Sequence, residues 1–146
     1  AEGAVAEPAP APALPPAPVR RGARILVVDD DALVCAALRR ILAADHDVDV
    51  CLCARQALSR LANGAFYDVV LCDVMMPVMS GKDFHAEVAH AFPALARRMV
   101  FVTGGAFTPE ARGFLDAIPN RRLDKPFDPD TVRAAVEATL AQHAAS

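Results

Sequence analysis

Five polar or charged side chains lie where short strand-like segments of the sequence end. They are Asp29, Asp30, Asp73, Thr103 and Lys125. The segments that precede them are ILVV (25–28), DVVLC (68–72), MVFV (99–102) and RRLD (121–124). Short apolar runs such as the first three are typical of strands buried in a parallel sheet. Because the carboxyl ends of parallel strands meet at one edge, where ligands bind, we expect the five side chains to lie together.

Carboxylates gathered at one edge of a sheet repel one another, and an isolated buried carboxylate is costly. A hard divalent cation such as Mg²⁺ removes this difficulty, since it prefers a few oxygen ligands and several waters. Lys125 adds positive charge and Thr103 adds a hydroxyl donor, so the set suits the oxygens of a phosphoryl group. In such a pocket an ionised carboxylate can act as the nucleophile and become an aspartyl phosphate, while the cations stabilise the transferring group.

The rest of the sequence supplies the elements that position these side chains. Apolar residues recur at helical spacing from Leu33 to Leu42, a second strand is predicted at 48–52, and a helix is predicted over 54–62. Side chains that favour helix N-caps precede four of the predicted helices: Asp31, Ser80, Thr108 and Asp128. Five strand–helix units in strict alternation predict an α/β fold, a parallel sheet with helices on both faces.

In these segments the chain resembles the receiver domain of two-component signalling proteins, the response regulators. The matching pieces are ILVVDDD (25–31), DVVLCDVMMPVMSG (68–81), MVFVTGG (99–105) and LDKPF (123–127). Each piece alone is weak, but four in the correct order, each at a strand end, make a specific signal. The resemblance implies a flavodoxin-like (βα)5 doubly wound sheet with strand order 2-1-3-4-5.

The resemblance also implies a role for each site residue. Asp73 would be the phosphoacceptor, and Lys125 would contact the phosphoryl oxygens. The Lys125–Pro126 peptide would be cis, which would aim the lysine inward. Thr103 would move to hydrogen-bond a phosphoryl oxygen. The Mg²⁺ ligands would be Asp30 and Asp73 directly, Asp29 through water, and the backbone carbonyl of Met75. The partner would be a phosphohistidine on a kinase or a phosphotransfer domain.

Three positions bear on how the phosphoryl group is read out and lost. Arg122 stands three residues before Lys125, where many receivers have an aromatic side chain; its guanidinium could point to solvent or bridge to a partner or to an acid. Gly104 and Gly105 leave the pocket open. Met75, two residues after the acceptor, cannot orient a hydrolytic water by hydrogen bonding, so we hypothesise a long-lived phosphoaspartate.

The chain is predicted to consist of a Pro/Ala-rich linker at 1–22 and a receiver domain at 23–146. We expect no output domain to follow the receiver, and TGGAFTPEARGFLD (103–116) is similar to receivers at the carboxyl end of hybrid sensor histidine kinases. We therefore expect a hybrid kinase as the parent protein. The alternatives are a stand-alone single-domain response regulator and a pseudo-receiver that only binds partners. The domain would catalyse its own phosphorylation and dephosphorylation without being a conventional enzyme.

The composition excludes several other classes. A formal charge of −3 gives no reason for this domain to bind nucleic acid or an anionic membrane. Four cysteines without a second metal-binding pair are expected to be small buried thiols in a reducing cytoplasm, although the parent protein could carry a membrane anchor. The oligomeric state is left open, and we favour a monomer.

Overall fold

The computed structural model describes residues 22–104 and 108–143. The strands in these ranges are β1 (Arg24–Val28), β2 (Asp47–Cys51), β3 (Val69–Asp73), β4 (Met99–Thr103) and β5 (Arg122–Asp124). The helices are α1 (Ala32–Leu42), α2 (Ala54–Ala62), α3 (Gly81–Ala91), α4 (Pro93–Ala96), α5 (Pro109–Ala117) and α6 (Pro129–His143).

The strands form one parallel sheet in the order β2-β1-β3-β4-β5, which confirms the predicted flavodoxin-like order. Every residue of β3 and β4 is buried, because both strands are central and are covered by helices on both faces. The register places Asp73 opposite Val102, and Thr103 opposite Asp124. The carboxyl ends of the strands therefore meet at one edge.

Alternation along β1 shows how one strand serves two cores. Ile25 and Val27 pack on one face with α1 and α6, whereas Leu26 and Val28 pack on the other with α2, α3 and α5. Successive side chains of a strand point to opposite faces, so a continuous apolar run fills both cores. Full burial of each such side chain contributes roughly 1.5–3 kcal/mol. The two cores hold the strand ends in fixed positions.

Helix starts follow the predicted capping residues. The side chain of Asp31 accepts hydrogen bonds from the amides of Leu33 and Val34, and Ser80 accepts one from Asp83. Thr108 accepts one from the amide of Ala111 at the start of α5. The cap of α6 follows the same pattern, since the amide of Thr131 donates to Asp128 Oδ1 at 2.7 Å. These caps determine where each helix leaves the site edge.

The structure corrects several details of the prediction. A short helix, α4, lies between α3 and β4 and was not predicted, so the alternation is not strict. β2 begins and ends one residue earlier than predicted, and β3 extends to include Asp73. The four cysteines are unpaired, as predicted, but Cys53 is exposed rather than buried because it precedes the first turn of α2.

Two predictions fall wholly or partly outside this part of the chain. The predicted linker lies outside the described residues except for Gly22, and Gly105 also lies outside them. Among the residues that the structure describes, no helix has the length and apolar character needed to cross a membrane.

Candidate functional site

Four strand ends bring the predicted site residues to one edge of the sheet. Asp29 and Asp30 follow β1, Asp73 ends β3, Thr103 ends β4 and Lys125 follows β5. The Lys125–Pro126 peptide is cis, as the resemblance implied.

One carboxylate oxygen from each of Asp29, Asp30 and Asp73 lies within 4.8 Å of the others. Asp29 and Asp73 are only 1% and 6% exposed, whereas Asp30 is open to solvent. Oδ1 of Asp29 accepts a hydrogen bond from the amide of Asp31 at 2.9 Å, and Oδ1 of Asp73 accepts one from the amide of Met75 at 3.3 Å. Oδ2 of Asp29 is buried and accepts no hydrogen bond from the described residues.

Among the described residues, Lys125 supplies the positive charge that pairs with the buried acids. Its Nζ lies 3.3 Å from Oδ2 of Asp29 and 3.8 Å from Oδ2 of Asp73. The first distance is short enough for an ion pair, but the orientation does not give Asp29 Oδ2 a hydrogen bond. Gly104 leaves room for the lysine, since a Cβ at this position would lie 3.2 Å from Lys125 Cδ.

The ionisation of Asp73 reflects this crowding. Burial first, and the Asp29 charge second, raise the pKa of Asp73 from 3.8 to about 6, while Lys125 and the Met75 amide act in the opposite direction. One ammonium group therefore does not offset the desolvation and repulsion at this carboxylate. A further cation at the cluster would favour the ionised form, which is the form that can act as a nucleophile.

The loop after Asp73 folds back on the end of β3. The amide of Gly81 donates to the carbonyl of Val74 at 2.8 Å. A Cβ at Gly81 would lie 2.6 Å from the carbonyl oxygen of Asp73 and 2.8 Å from Val74 Cα. Both are backbone atoms, so only glycine allows this approach. Within the loop, Val78 has a φ of +69° and an exposed side chain, a rare conformation for a β-branched residue.

The hydroxyl of Thr103 is already engaged. Oγ1 of this buried residue donates to Oδ1 of Asp124 at 2.5 Å. The amide of Lys125 donates to the carbonyl of Thr103 at 2.7 Å, so the two strands are tied at this point. No role was predicted for Asp124, although its place at the end of the predicted strand 121–124, beside Lys125, could have indicated that it lies at the site edge.

Comparison with known proteins assigns the family. Residues 25–137 match the family described as response regulator receiver domain. The chain belongs to this family.

Two curated relatives of the receiver are named as transcriptional regulators. The transcriptional regulatory protein ZraR of Escherichia coli is 34% identical over 121 residues, which cover 80% of this chain and 26% of the relative. The hydrogenase transcriptional regulatory protein HoxA of Cupriavidus necator is 34% identical over 121 residues, covering 80% of this chain and 24% of the relative. The match spans about a quarter of each relative's length.

The fold also matches that of receiver domains among solved structures. A response regulator receiver domain protein (CheY-like) from Methanospirillum hungatei superposes with a TM-score of 0.75 at 24% identity. The superposition covers 85% of this chain and 98% of that one. At this identity the likeness supports the fold alone.

Receivers generally use Mg²⁺ at an acidic pocket, and the residues of this receiver fit such an ion. Three carboxylates converge, and the buried Oδ2 of Asp29 lacks a hydrogen-bond donor among the described residues. Carboxylate oxygens are the donors that Mg²⁺ prefers, and the exposure of Asp30 leaves that side open to the waters the ion retains. The predicted Met75 carbonyl ligand stays a prediction.

Arg122 is where this receiver departs from the pattern that many receivers share. Its Nη2 lies 2.9 Å from Oδ1 of Asp116 on α5, and the two side chains are 37% and 62% exposed. Of the destinations that the sequence left open, the structure shows an acid within the same chain. An exposed pair of this kind contributes at most about 1 kcal/mol.

Proposed function

We propose that this receiver accepts a phosphoryl group from a phosphohistidine onto Asp73, with Mg²⁺ held by Asp29, Asp30 and Asp73. The observation that carries the proposal is a buried Asp73 carboxylate whose oxygens face two further acids and the ammonium of Lys125. A carboxylate in that setting can act as a nucleophile, and the cations beside it can stabilise charge on the transferring group.

In the proposed reaction a carboxylate oxygen of Asp73 forms a bond to phosphorus as the phosphorus–nitrogen bond of the donor breaks. The departing imidazole keeps the electron pair. Asp73 must be ionised to attack, and its raised pKa of about 6 leaves it ionised at and above neutral pH. Lys125 lies close enough to both acids to move its charge onto the incoming phosphoryl oxygens. When bound, Mg²⁺ would supply positive charge to those oxygens as a Lewis acid.

Two further roles belong to this proposal. Thr103 would donate its hydroxyl to a phosphoryl oxygen after transfer. Met75 is half exposed and offers no side-chain group to orient a water for hydrolysis. The phosphoaspartate should therefore be long-lived, and Phos-tag gels would follow its decay; loss within seconds would contradict this expectation.

Phosphorylation with acetyl phosphate and Mg²⁺, read by intact mass, tests the central proposal. The wild-type chain should gain the mass of one phosphate, and Asp73→Asn should gain none. Asp130→Asn is the matched control, because it makes the same change at a fully exposed acid on α6 and should still gain one phosphate. Failure of the wild-type chain to gain mass would overturn the proposal and favour a receiver that only binds partners.

The proposed phosphodonor is a kinase or a phosphotransfer domain with a phosphorylated histidine. For the parent protein, the stretch TGGAFTPEARGFLD favours a hybrid sensor histidine kinase, whereas both curated relatives described above are transcriptional regulators. In a transcriptional regulator the whole protein could bind nucleic acid. The expectation that nucleic acid is not a partner therefore concerns this domain alone. The sequence of the full gene separates these parents from a stand-alone regulator. The cytoplasmic location and the monomeric state also stay predictions.

A further inference from the structure

The hydroxyl of Thr103 can serve only one acceptor at a time. A threonine hydroxyl carries a single donor proton. In this structure the proton goes to Oδ1 of Asp124, at an oxygen–oxygen distance of 2.5 Å. Donation to a phosphoryl oxygen on Asp73 therefore requires that the bond to Asp124 be broken first. The two hydrogen bonds exclude each other, whatever the distance that the side chain must move.

The sheet geometry brings Thr103 and Asp124 together. The residues are register partners in β4 and β5, and the amide of Lys125 donates to the carbonyl of Thr103 at 2.7 Å. Alternation places Thr103 on the same face of the sheet as Phe101, which packs in the core that contains α5. Leu123 packs in the opposite core, so its neighbour Asp124 also lies on the α5 face.

Burial and charge strengthen this hydrogen bond. Thr103 is 4% exposed, so few waters compete for its hydroxyl, whereas Asp124 is exposed and contributes the charge of its carboxylate. Hydrogen bonds to ionised acceptors are shorter and stronger than those between neutral groups. The other polar side chain on this face of β5, Arg122, donates to Asp116, and a guanidinium has no hydrogen-bond acceptor to offer Thr103.

We propose that Asp124 is a positioning residue that holds the Thr103 hydroxyl on β5 in the unphosphorylated receiver and opposes its transfer to the phosphoryl group. This inference rests on the proposed function, because it assumes that Asp73 becomes phosphorylated. Asp124 then sets how readily the phosphorylated site recruits Thr103. A weaker acceptor at position 124 favours the state in which Thr103 donates to the phosphoryl group. Without the Thr103 hydroxyl, residue 124 has no influence on that equilibrium.

A double-mutant cycle isolates this competition. The variants are Asp124→Ala, Thr103→Val and the double variant, and circular dichroism checks that each is folded. Calorimetry measures the dissociation constant of beryllofluoride, a phosphoryl analogue, in the presence of Mg²⁺. Asp124→Ala should lower this constant about three- to tenfold, in line with a net hydrogen-bond contribution of that order. Asp124→Asn, which keeps an oxygen acceptor without the charge, should fall between wild type and Asp124→Ala.

In the Thr103→Val background, Asp124→Ala should change the dissociation constant by less than about twofold, since no hydroxyl remains to be released. Loss of a negative charge alone would act in both backgrounds. Equal effects in the two backgrounds, or no effect in either, would overturn the inference. Asp130→Ala is the matched control for removal of an exposed acid and should leave the constant unchanged.

A second readout needs neither metal nor phosphoryl analogue. In the metal-free chain, the methyl resonance of Thr103 in an NMR spectrum should move in Asp124→Ala and stay in place in Asp130→Ala. An unmoved resonance would show that the two side chains do not interact in solution. Failure of the proposed function is recognised separately, because the wild-type chain would then gain no phosphate from acetyl phosphate, and the inference would fail with it.

Discussion

Replacement of Gly81 by alanine is a sharp test of how the nucleophile is held. Gly81 begins α3, and its added Cβ would lie 2.6 Å from the carbonyl oxygen of Asp73 and 2.8 Å from Val74 Cα. Because both contacts are backbone atoms, no rotamer change can relieve them. Either α3 or the end of β3 must move, and both elements belong to the buried core around Phe84 and Cys72.

The size of the effect follows from two opposing contributions. Overpacking in a close-packed interior costs about 1–3 kcal/mol. Alanine is favoured over glycine inside a helix by up to about 1 kcal/mol, and the gain is smaller in the first turn. The free energy of unfolding of Gly81→Ala should therefore fall by about 2 kcal/mol, or about 5–10 °C in melting temperature.

Gly113 provides the matched control. It lies inside α5, and a Cβ there would meet nothing within 4 Å. Gly113→Ala should raise the free energy of unfolding by about 0.5–1 kcal/mol, because only the helix preference of alanine acts. Urea unfolding of the two variants should give changes of opposite sign. Equal changes would refute the close approach of Gly81 to Asp73. Phosphate incorporation should slow in Gly81→Ala alone.

Two predictions concern the acids. In chelator at pH 7, Asp73→Asn should raise the free energy of unfolding by about 2–3 kcal/mol, because the pKa of Asp73 is raised from 3.8 to about 6. The stability that protonated Asp73 provides is fully present below pH 3.8 and is lost as the pH rises through about 6. The free energies of unfolding of wild type and variant, measured by urea titration, should therefore converge in acid and diverge at neutral pH. A difference between them that does not change with pH would contradict this. Mg²⁺ at ten times its dissociation constant should stabilise the wild type by about 1.4 kcal/mol in thermal melts, and Asp29→Asn should lose most of that gain; an equal gain in both would show that Asp29 does not take part.

Much of the fold was predictable because local signals agreed with the tertiary arrangement. The run ILVV (25–28) is apolar at every position because β1 is covered on both faces, and a short apolar run of this kind is typical of a strand buried in a parallel sheet. The short helix Pro93–Ala96 was missed for a physical reason. Four residues are too few to show a helical period. Pro93 after Phe92 also reads as the end of the preceding helix rather than as the first turn of a new one.

The residues of the site were predictable for a similar reason, since topology brings strand ends together whatever the side-chain details. What the sequence could not predict depends on distances between elements. The direction of the Thr103 hydroxyl, the unsatisfied Oδ2 of Asp29 and the raised pKa of Asp73 all arise from contacts between the ends of different strands. The same is true of Gly81, whose necessity becomes visible only beside the carbonyl of Asp73.

Under the proposed function, these contacts imply that metal binding and phosphorylation would be linked through Lys125. Its ammonium is shared, at 3.3 Å from Asp29 and 3.8 Å from Asp73, and Asp29 is the more buried of the two acids. If Lys125 moves its charge to phosphoryl oxygens on Asp73, Asp29 loses its nearest cation and depends more on the metal. Linkage is reciprocal, so an ion that satisfies Asp29 frees Lys125 for the phosphoryl group. In the proposed reaction Asp29 would thus couple the two events although it takes no part in bond formation.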